Sequence, residues 1–457
     1  MLKLNLWHEP FMKHLKWLNP LANVPLSKWH LKAEFHNSLK PPRPNQTLKK
    51  YLECNNQTKV LLYFRYLLRE RSSFNSIDSF SFLFALKACN KKHSSSEGKQ
   101  LHCLVLKFGF QYVVQLQTLL LKLYAEWENL CEAHQMFDEI PDKNIICWTS
   151  LISAYVDNHK PNKALEVFRL MQMNNVEPDQ VTVTVALSAC ADTGALEMGE
   201  RIHAFVRSKQ GMKKDLCLTN ALINMYAKCG DIVTSRRLFD STKNKDVTTW
   251  TSMIVGHALH GQAHEALQIF EEMNTRSEKK NLNSCSYLVT PNDVTFIGVL
   301  MACSHAGLVE KGKGHFRSMT EDYGIQPREP HFGCMVDLFC RAGHLRDAYD
   351  FIMQMPTPPK AVIWRTLLGA CSLHGELELG AEVRHKLLKL DPGYVSDSVA
   401  MSNIYADIGM WDKKVIARNQ IKQSRAPGCS SIEVGSRLSE CVTTDYNHPV
   451  KTNIICS

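Results

Sequence analysis

Apolar residues recur at helical spacing in residues 216–246, and the pattern predicts two short helices joined by a tight turn. Gly230 is placed to end the first helix, and Asp231 is placed to cap the second. Such a hairpin is too small to bury its apolar faces alone, so it requires neighbours of the same kind. The apolar positions expected on the buried faces are Leu222, Ile223, Tyr226, Leu238 and Phe239.

The pattern recurs along the chain, with one Tyr, Cys or His at the equivalent position of each copy. That residue reappears after 31, 35, 36, 31 and 46 positions, at Tyr124, Tyr155, Cys190, Tyr226, His257 and Cys303. Repeated hairpins that contact only their neighbours form an α-solenoid, so the predicted fold class is all-α. The longest spacing predicts an insertion in residues 274–290, a polar stretch expected to form a surface loop.

The composition is that of a folded protein, with 44% hydrophobic and 22% charged residues among 457. The formal net charge of +9 permits a polyanionic partner but does not establish one. The sixteen cysteines include no CxxC pair and lie mostly in apolar phrases such as LSAC and LGAC. This pattern indicates reduced, buried side chains rather than a disulfide framework. No apolar run is long enough to predict a membrane span.

Residues 1–40 differ from the rest of the chain because they contain six lysines, no arginine and only two acidic residues. The segment is similar to an organelle transit segment with an amphipathic face, and a disordered basic tail is the alternative. The apolar residues that would form this face are Trp7, Phe11, Leu15, Trp17 and Leu18.

The phrases NALINMYAKCGDI, WTSLISAY, ALEVFRLMQMNNVEPD and PNDVTFIGVLMACSHAGLVEKG resemble those of plant pentatricopeptide repeat proteins. The alternation of short, standard and long motifs is similar to the PLS subclass of that family, whereas a tetratricopeptide array has one constant period. The resemblance covers about residues 41–434 and implies a right-handed α-solenoid in which each motif is one helix hairpin.

This resemblance implies four regions in the chain. The family usually has Trp where this chain has Ser431, and only residues 447–449 are similar to the next segment of longer members. We therefore expect the chain to lack the DYW deaminase domain of those members. The regions are a transit segment in 1–40, an array of about nine motifs in 41–360, an E-type helical extension in 361–434 and a degenerate tail in 435–457.

The resemblance also implies that each motif reads one base of single-stranded RNA, whose base edges are accessible. The fifth residue of a motif would bond the base edge, and the last residue would support that choice. The implied pairs are Thr118 with Asn144 for adenine, Thr149 with Asp179 for guanine, Thr184 with Asp215 in a long motif with weaker selectivity, Asn220 with Asp246 for uracil, and Thr251 with Asn292 for adenine. The RNA would carry A, G, any base, U and A, roughly ten to six bases upstream of an edited cytidine, then two unspecified bases.

Other motifs have no polar fifth residue and are expected to act as spacers; these fifth residues are Leu83, Ile297 and Gly333. The second residue of a motif is expected to be an apolar wedge beside the base, as Ile146, Val181 and Cys217 would be. Each polar pair also has a structural alternative, because Thr, Asn and Asp at helix starts are commonly caps or solvated residues.

No catalytic motif accompanies these repeats. Cytidine deaminases use His-x-Glu together with Pro-Cys-x-x-Cys to hold zinc and transfer protons. The single His-x-Glu, from His374 to Glu376, falls at a predicted hairpin turn without a CxxC partner. We therefore expect no enzymatic activity, no metal, no cofactor and no small-molecule substrate.

The implied function is a site-recognition factor for C-to-U editing of single-stranded RNA in the mitochondrion, with the chloroplast as the alternative location. A deaminase or another editing-complex protein would act in trans by docking on residues 361–434. Two other functions remain open at this stage: an organelle factor for RNA processing, stability or splicing, and a protein–protein scaffold built on the same solenoid.

Overall fold

The structure is a computed structural model. It contains two compact units, Met1–Pro141 and Asp142–Ser457. In the part of the chain that the structure describes, no helix is long and apolar enough to cross a membrane. The described residues are 44–69, 77–89, 95–209, 211–212, 215–280, 289–419, 429–434 and 437–442. The predicted transit segment lies outside them.

The described part of the first unit consists of helix hairpins. Odd-numbered helices are the first helices of successive hairpins, and they pack on one another. The Phe82 ring lies at the centre of this packing, with its centroid 5.1 Å from that of Phe64 and 5.3 Å from that of Phe108. The helices are α1 Pro44–Glu53, α2 Gln57–Arg69, α3 Ser79–Lys87, α4 Ser95–Lys107, α5 Val114–Glu126 and α6 Leu130–Asp138.

The second unit continues the same architecture, with each first helix packed on its own partner and on the next first helix. The predicted solenoid of helix hairpins is therefore confirmed within each unit. The helices are α7 Ile145–Asp157, α8 Pro161–Met173, α9 Gln180–Thr193, α10 Leu196–Ser208, α11 Leu216–Lys228, α12 Ile232–Ser241, α13 Val247–Leu259, α14 Ala263–Lys280, α15 Asp293–His305, α16 Val309–Glu321, α17 Glu329–Arg341, α18 Leu345–Met353, α19 Ala361–His374, α20 Leu377–Leu390, α21 Val395–Asp407 and α22 Trp411–Asn419.

The α11–α12 hairpin has the predicted turn. Gly230 has a φ of 96°, a left-handed conformation that glycine adopts without strain. The Asp231 side chain caps α12 by accepting a hydrogen bond from the Thr234 backbone N–H. The Ser235 hydroxyl ties the two helices together by donating to the Ile223 carbonyl at 2.9 Å. Of the predicted apolar positions, Leu222, Ile223, Tyr226 and Phe239 are buried and Leu238 is half-buried.

Adjacent first helices approach closely where small residues face each other. A Cβ added to Gly256 on α13 would lie only 2.7 Å from the Ala227 Cβ on α11. A larger side chain at either position would push the helices apart, because packed helix backbones have little room to yield. Near the other end of the same two helices, Thr249 at the start of α13 contacts Asn220 on α11.

The predicted loop in residues 274–290 is wrong in its first part, because α14 continues to Lys280. The sequence NTRSEKK contains charged residues with good helix propensity and no proline or glycine, so nothing in it stops the helix. Residues 281–288 lie outside the described residues. Asn292 begins the next hairpin as the N-cap of α15, as expected for the end of a motif.

The C-terminal region also differs from the prediction. The helical extension was expected to reach residue 434, but α22 ends at Asn419, and Cys429–Val434 forms a strand, β1. It pairs antiparallel with β2, Arg437–Val442, so the predicted degenerate tail contains ordered structure. Alternating polar and apolar residues in CSSIEV and RLSECV match the two-residue period of a strand.

The twelve cysteines whose side chains the structure describes are free, and of these Cys54, Cys131 and Cys217 are exposed whereas six others are buried. Burial raises the pKa of the Cys89 and Cys371 thiols to about 12, so these groups stay protonated and unreactive at neutral pH. The prediction of reduced cysteines in apolar surroundings therefore holds for the buried group. Its members are Cys89, Cys147, Cys190, Cys303, Cys340 and Cys371.

Candidate nucleic-acid interface

The last residue of a motif caps the first helix of the next motif. Asp246, for example, accepts a hydrogen bond from the Thr249 backbone N–H at the start of α13. These residues therefore do cap helices, as the structural alternative predicted. A cap of this kind occupies one side-chain oxygen and leaves the rest of the amide or carboxylate available. The capping residues are Asp78, Asn144, Asp179, Asp215, Asp246 and Asn292.

Asn220 and Asp246 contact each other directly, together with Thr249, and we call these three residues the Asn220 cluster. The Asn220 Nδ2 donates to Asp246 Oδ1 at 3.0 Å. The Thr249 hydroxyl lies 2.7 Å from Asn220 Oδ1 and 2.8 Å from Asp246 Oδ1. Asn220 is 7% exposed and Thr249 is fully buried, so the amide orientation is set by protein partners rather than by water.

The same arrangement occurs in the first unit, where the sequence pattern alone indicated no pair. Asn45 donates to both carboxylate oxygens of Asp78, at 3.0 and 2.9 Å, and accepts from the Ser81 hydroxyl at 2.7 Å. We call these three residues the Asn45 cluster. Asn45 is the fifth residue counted from position 41, where the array was predicted to begin, and that count was the signal that could have found it.

Two threonine motifs share a second arrangement. In the Thr149 cluster, the Thr182 hydroxyl lies 2.6 Å from the Thr149 hydroxyl and 2.6 Å from Asp179 Oδ1. Thr149 and Asp179 are therefore connected through Thr182 rather than by a direct hydrogen bond.

The Thr251 cluster repeats this connection with Asn292 in place of the aspartate. The Thr295 hydroxyl lies 2.7 Å from the Thr251 hydroxyl and 2.8 Å from Asn292 Oδ1. Asn292 begins α15 despite the insertion before it, so it keeps the place that the pair requires. Sequence reasoning missed the connecting residues Ser81, Thr182, Thr249 and Thr295.

The long motif lacks this connection. Leu218 occupies the third position of α11 and has no hydroxyl, so it cannot join Thr184 to Asp215. The Thr184 hydroxyl instead donates to the Gln180 carbonyl of its own helix at 2.9 Å. The Gln180 side chain donates to the second carboxylate oxygen of Asp215. The structure does not bring this predicted pair together by a hydrogen bond.

Thr118 and Asn144 lie in the two separately described units. The Thr118 hydroxyl donates to the Val114 carbonyl at 2.8 Å, and Asn144 caps α7 by accepting from the Cys147 backbone N–H at 3.0 Å. The pair remains a prediction from the sequence.

Two of the expected spacers have a cation where the reading motifs have a carboxylate or amide. Arg328 comes after the motif of Ile297 and forms a 2.8 Å ion pair with Asp293. Lys360 comes after the motif of Gly333 and pairs with Glu329. These pairs are exposed, and exposed ion pairs contribute little to stability. The third expected spacer residue, Leu83, is half-buried on α3.

The predicted wedges are exposed on the first turn of their helices. Ile146 is 60% exposed and Val181 is 59% exposed, and Cys217 is also exposed. An apolar residue with this exposure at the same helix position in several motifs indicates a surface suited to flat apolar ligands. Three further members of this series are Phe80, Val294 and Val362.

In the first motif of the extension, the fifth residue is Arg365, and its side chain is bonded to other protein groups. Arg365 Nε donates to Asp397 at 2.9 Å, and its Nη2 donates to Asp391 at 2.7 Å. The guanidinium also lies 3.6 Å from the centroid of the Tyr394 ring. Both carboxylates raise the pKa of Arg365 through these hydrogen bonds, with the one to Asp397 as the largest cause. This position is occupied by protein groups.

His374 and Glu376 lie on either side of the α19–α20 turn, where His374 ends one helix and Glu376 precedes the other. No group of three or more potential metal ligands lies together in the described ranges.

The repeated clusters on first helices define a helical-repeat protein with similar polar sites at the junctions of its motifs. A sequence model described as "PPR repeat family" matches residues 143–192, and one described as "PPR repeat" matches residues 218–247, 248–277 and 331–357. The chain is 38% identical over 408 residues to pentatricopeptide repeat-containing protein At5g56310 of Arabidopsis thaliana, covering 81% of this chain and 75% of that protein. The chain belongs to the pentatricopeptide repeat family.

Other relatives are longer than this chain. It is 38% identical over 410 residues to an Arabidopsis thaliana protein named pentatricopeptide repeat-containing protein At1g59720, chloroplastic/mitochondrial, covering 87% of this chain but 62% of that protein. Among solved structures, the pentatricopeptide repeat protein PPR10 in complex with an 18-nt psaJ RNA element matches with a TM-score of 0.66 and 14% identity. That match covers 86% of this chain and 57% of PPR10, and it supports the fold.

Proposed function

We propose that this protein binds a specific single-stranded RNA in a plant organelle and marks a site for C-to-U editing. The observation that carries the proposal is the junction cluster, which joins a fifth residue to the last residue of its motif in four motifs. A residue that only caps a helix does not need to contact the fifth residue of its motif, which lies on the preceding first helix. RNA binding by PPR10, as its structure describes, and the organelle names of relatives support the same assignment.

Uracil fits the Asn220 cluster because each group of the amide has one hydrogen-bonding position left. Asn220 Nδ2 uses one proton on Asp246, and Oδ1 accepts one hydrogen bond from Thr249. The second proton and the second lone pair can bond the O4 and N3–H groups of uracil. In the Asn45 cluster, one Nδ2 proton shared between the two carboxylate oxygens of Asp78 leaves the same groups available, so we assign uracil to it as well.

Guanine fits the Thr149 cluster because the hydrogen-bonding groups that the cluster leaves available are acceptors. The Thr149 hydroxyl donates to the Ile145 carbonyl at 2.8 Å and lies 2.6 Å from the Thr182 hydroxyl, so its proton is used within the protein and a lone pair of the Thr149 oxygen remains available. The second carboxylate oxygen of Asp179 is another acceptor. These two acceptors suit the N1–H and N2–H₂ donors of guanine.

Adenine fits the Thr251 cluster because Asn292 supplies a donor instead. Its Oδ1 accepts from Thr295, and its Nδ2 is directed away from that hydrogen bond. An amide N–H suits the N1 acceptor of adenine, and the Thr251 oxygen can accept from the adenine amino group. Thr118 with Asn144 is assigned adenine by the same residue types.

The target sequence therefore gains two positions at its 5′ end relative to the sequence prediction. The Asn45 cluster adds a uracil, and the spacer motif of Leu83 adds any base. The proposed string is U, any base, A, G, any base, U, A and two unspecified bases before the cytidine region. Exposed wedges such as Ile146 and Val181 would stack against the bases, since apolar contact with a base face tolerates any sequence.

We expect the protein to bind this RNA at least about tenfold more tightly than a scrambled RNA of equal composition at moderate salt, because each mismatched base typically costs about 1–3 kcal/mol. Filter binding or anisotropy with the full chain measures the ratio. Equal affinity for both RNAs would contradict the proposal, since phosphate contacts alone bind every sequence equally well.

The deaminase is proposed to act in trans on the E-type extension. In this proposal the chain is a PLS-subclass member with that extension. An exposed apolar stripe on α22 supports protein docking there, formed by Trp411, Val415 and Ile416. Soluble proteins seldom expose three large apolar side chains on one helix without a partner.

Sequencing of mitochondrial and plastid transcripts from a plant line lacking this protein tests the editing role. We expect one or a few cytidines downstream of the proposed string to remain unedited, and the organelle in which they occur identifies the location. Altered transcript ends or unspliced introns with normal editing would instead identify an RNA-processing factor.

A further inference from the structure

We propose that Thr249 is a positioning residue that makes the Asn220 motif select uracil over cytosine. Thr249 contacts no base in this proposal and acts by holding the Asn220 amide in one orientation. The proposal rests on the assignment of Asn220 as a base-reading residue and adds a third determinant to its motif.

The hydrogen-bond partners of Asn220 permit only one satisfactory orientation of its amide. Asp246 Oδ1 can only accept, so it must face Nδ2, at 3.0 Å. The Thr249 hydroxyl then faces Oδ1 at 2.7 Å and donates to it, while its own oxygen accepts from the Asp246 backbone N–H at 3.2 Å. In this orientation the side chains of Asn220, Asp246 and Thr249 all have hydrogen-bond partners, and the one Thr249 hydroxyl proton is enough.

Reversal of the amide would place its oxygen against the Asp246 carboxylate. Two acceptors in contact repel each other, and an unsatisfied polar group is costly in a buried site. The Thr249 hydroxyl would also lose its acceptor on Asn220. It would be left with Asp246 Oδ1, at 2.8 Å, as its acceptor, because Thr249 has no exposed surface and water cannot replace the Asn220 oxygen.

Orientation matters because uracil and cytosine present opposite orders of donor and acceptor. Uracil has an acceptor at O4 beside a donor at N3–H, whereas cytosine has a donor at N4 beside an acceptor at N3. An amide held in one orientation complements one of these bases, and the reversed amide complements the other. A residue that prevents reversal therefore discriminates between the two pyrimidines.

The Asn45 cluster supplies an independent instance of the same device. Its third residue is serine rather than threonine, yet the hydroxyl contacts the asparagine oxygen at the same distance of 2.7 Å. Ser81 is also fully buried. The methyl group is therefore dispensable, and the hydroxyl is the common element.

The test is the variant Thr249→Val, which keeps the side-chain shape and removes the hydroxyl. Binding of the full chain is measured to four RNAs that differ only at the base assigned to Asn220. We expect the uracil-to-cytosine affinity ratio to fall about tenfold, the size of one lost discriminating contact. Selectivity at the base assigned to Thr149 should stay unchanged. Thr249→Ser, which restores the hydroxyl, should recover the ratio.

Thr219→Val is the matched control, because the Thr219 hydroxyl only bonds the Asp215 carbonyl of its own helix, at 2.8 Å. It should leave the ratio intact. If Thr249→Val does not fold, Ser81→Ala tests the same role at the base assigned to Asn45. Suppose that the unaltered protein prefers uracil and that a folded variant without the hydroxyl keeps the same uracil-to-cytosine affinity ratio. That result overturns the positioning role alone. Absence of uracil preference in the unaltered protein overturns the base-reading assignment as well.

Discussion

The variant Asn220→Thr should change the base preferred by its motif from uracil to guanine. It would place a threonine hydroxyl beside Thr249 and Asp246, the combination already present in the Thr149 cluster. That combination offers two acceptors and no amide N–H. We expect the uracil-to-guanine affinity ratio to change by roughly two orders of magnitude, since losing one matched contact and gaining another are each worth about tenfold.

The measurement is a competition between two RNAs that differ only at this base, with the full chain at fixed salt. The control variant is Thr219→Asn, one residue away on α11 and outside the cluster. It should alter neither base preference nor overall affinity by more than a small factor. Retention of uracil preference in Asn220→Thr would show that residue 220 does not read the base.

Truncation of Phe239 should cause a large loss of local stability. Its ring is 2% exposed and lies edge-to-face with Trp250, with 5.1 Å between the centroids. Phe239→Ala removes this contact and leaves a cavity between α12 and α13, which typically costs about 3–5 kcal/mol. The loss should be local, because hairpins in a solenoid are stabilised mainly by their immediate neighbours.

Hydrogen exchange of backbone amides in α11, α12 and α13 measures this loss directly. A local method is needed because a repeat array does not always unfold in one cooperative step. Phe239→Leu is the control, since it keeps most of the apolar volume and should cost much less. Equal protection in the alanine variant and the unaltered protein would show that the α12–α13 contact does not stabilise the array.

Sequence periodicity was sufficient to predict the repeated hairpins, because burial of an apolar stripe imposes a helical spacing on the residues themselves. Leu222, Ile223, Tyr226 and Phe239 are buried as that spacing requires. Gly230 and Asp231 could also be assigned from local chemistry, since turn and cap preferences depend on a few neighbouring residues.

Local patterns were less reliable where a segment had two physically reasonable outcomes. The polar stretch after residue 273 has helix-forming side chains as well as a loop-like composition, and α14 continues into it. The residues of β1 and β2 form a strand pair only with each other, so neither segment alone indicates the hairpin.

The sequence by itself determined the repeat, its motif boundaries and the polar residues at the ends of the motifs, because these depend on spacing within one hairpin. Only the tertiary structure decided which of those residues act together. Asn45 meets Asp78 and Ser81 across 33 and 36 positions of the chain, and Asn220 meets Thr249 across 29. Leu218 leaves Thr184 without a comparable connection to Asp215. These differences arise at the contact between successive first helices, where one buried hydroxyl determines whether two polar side chains form a common site.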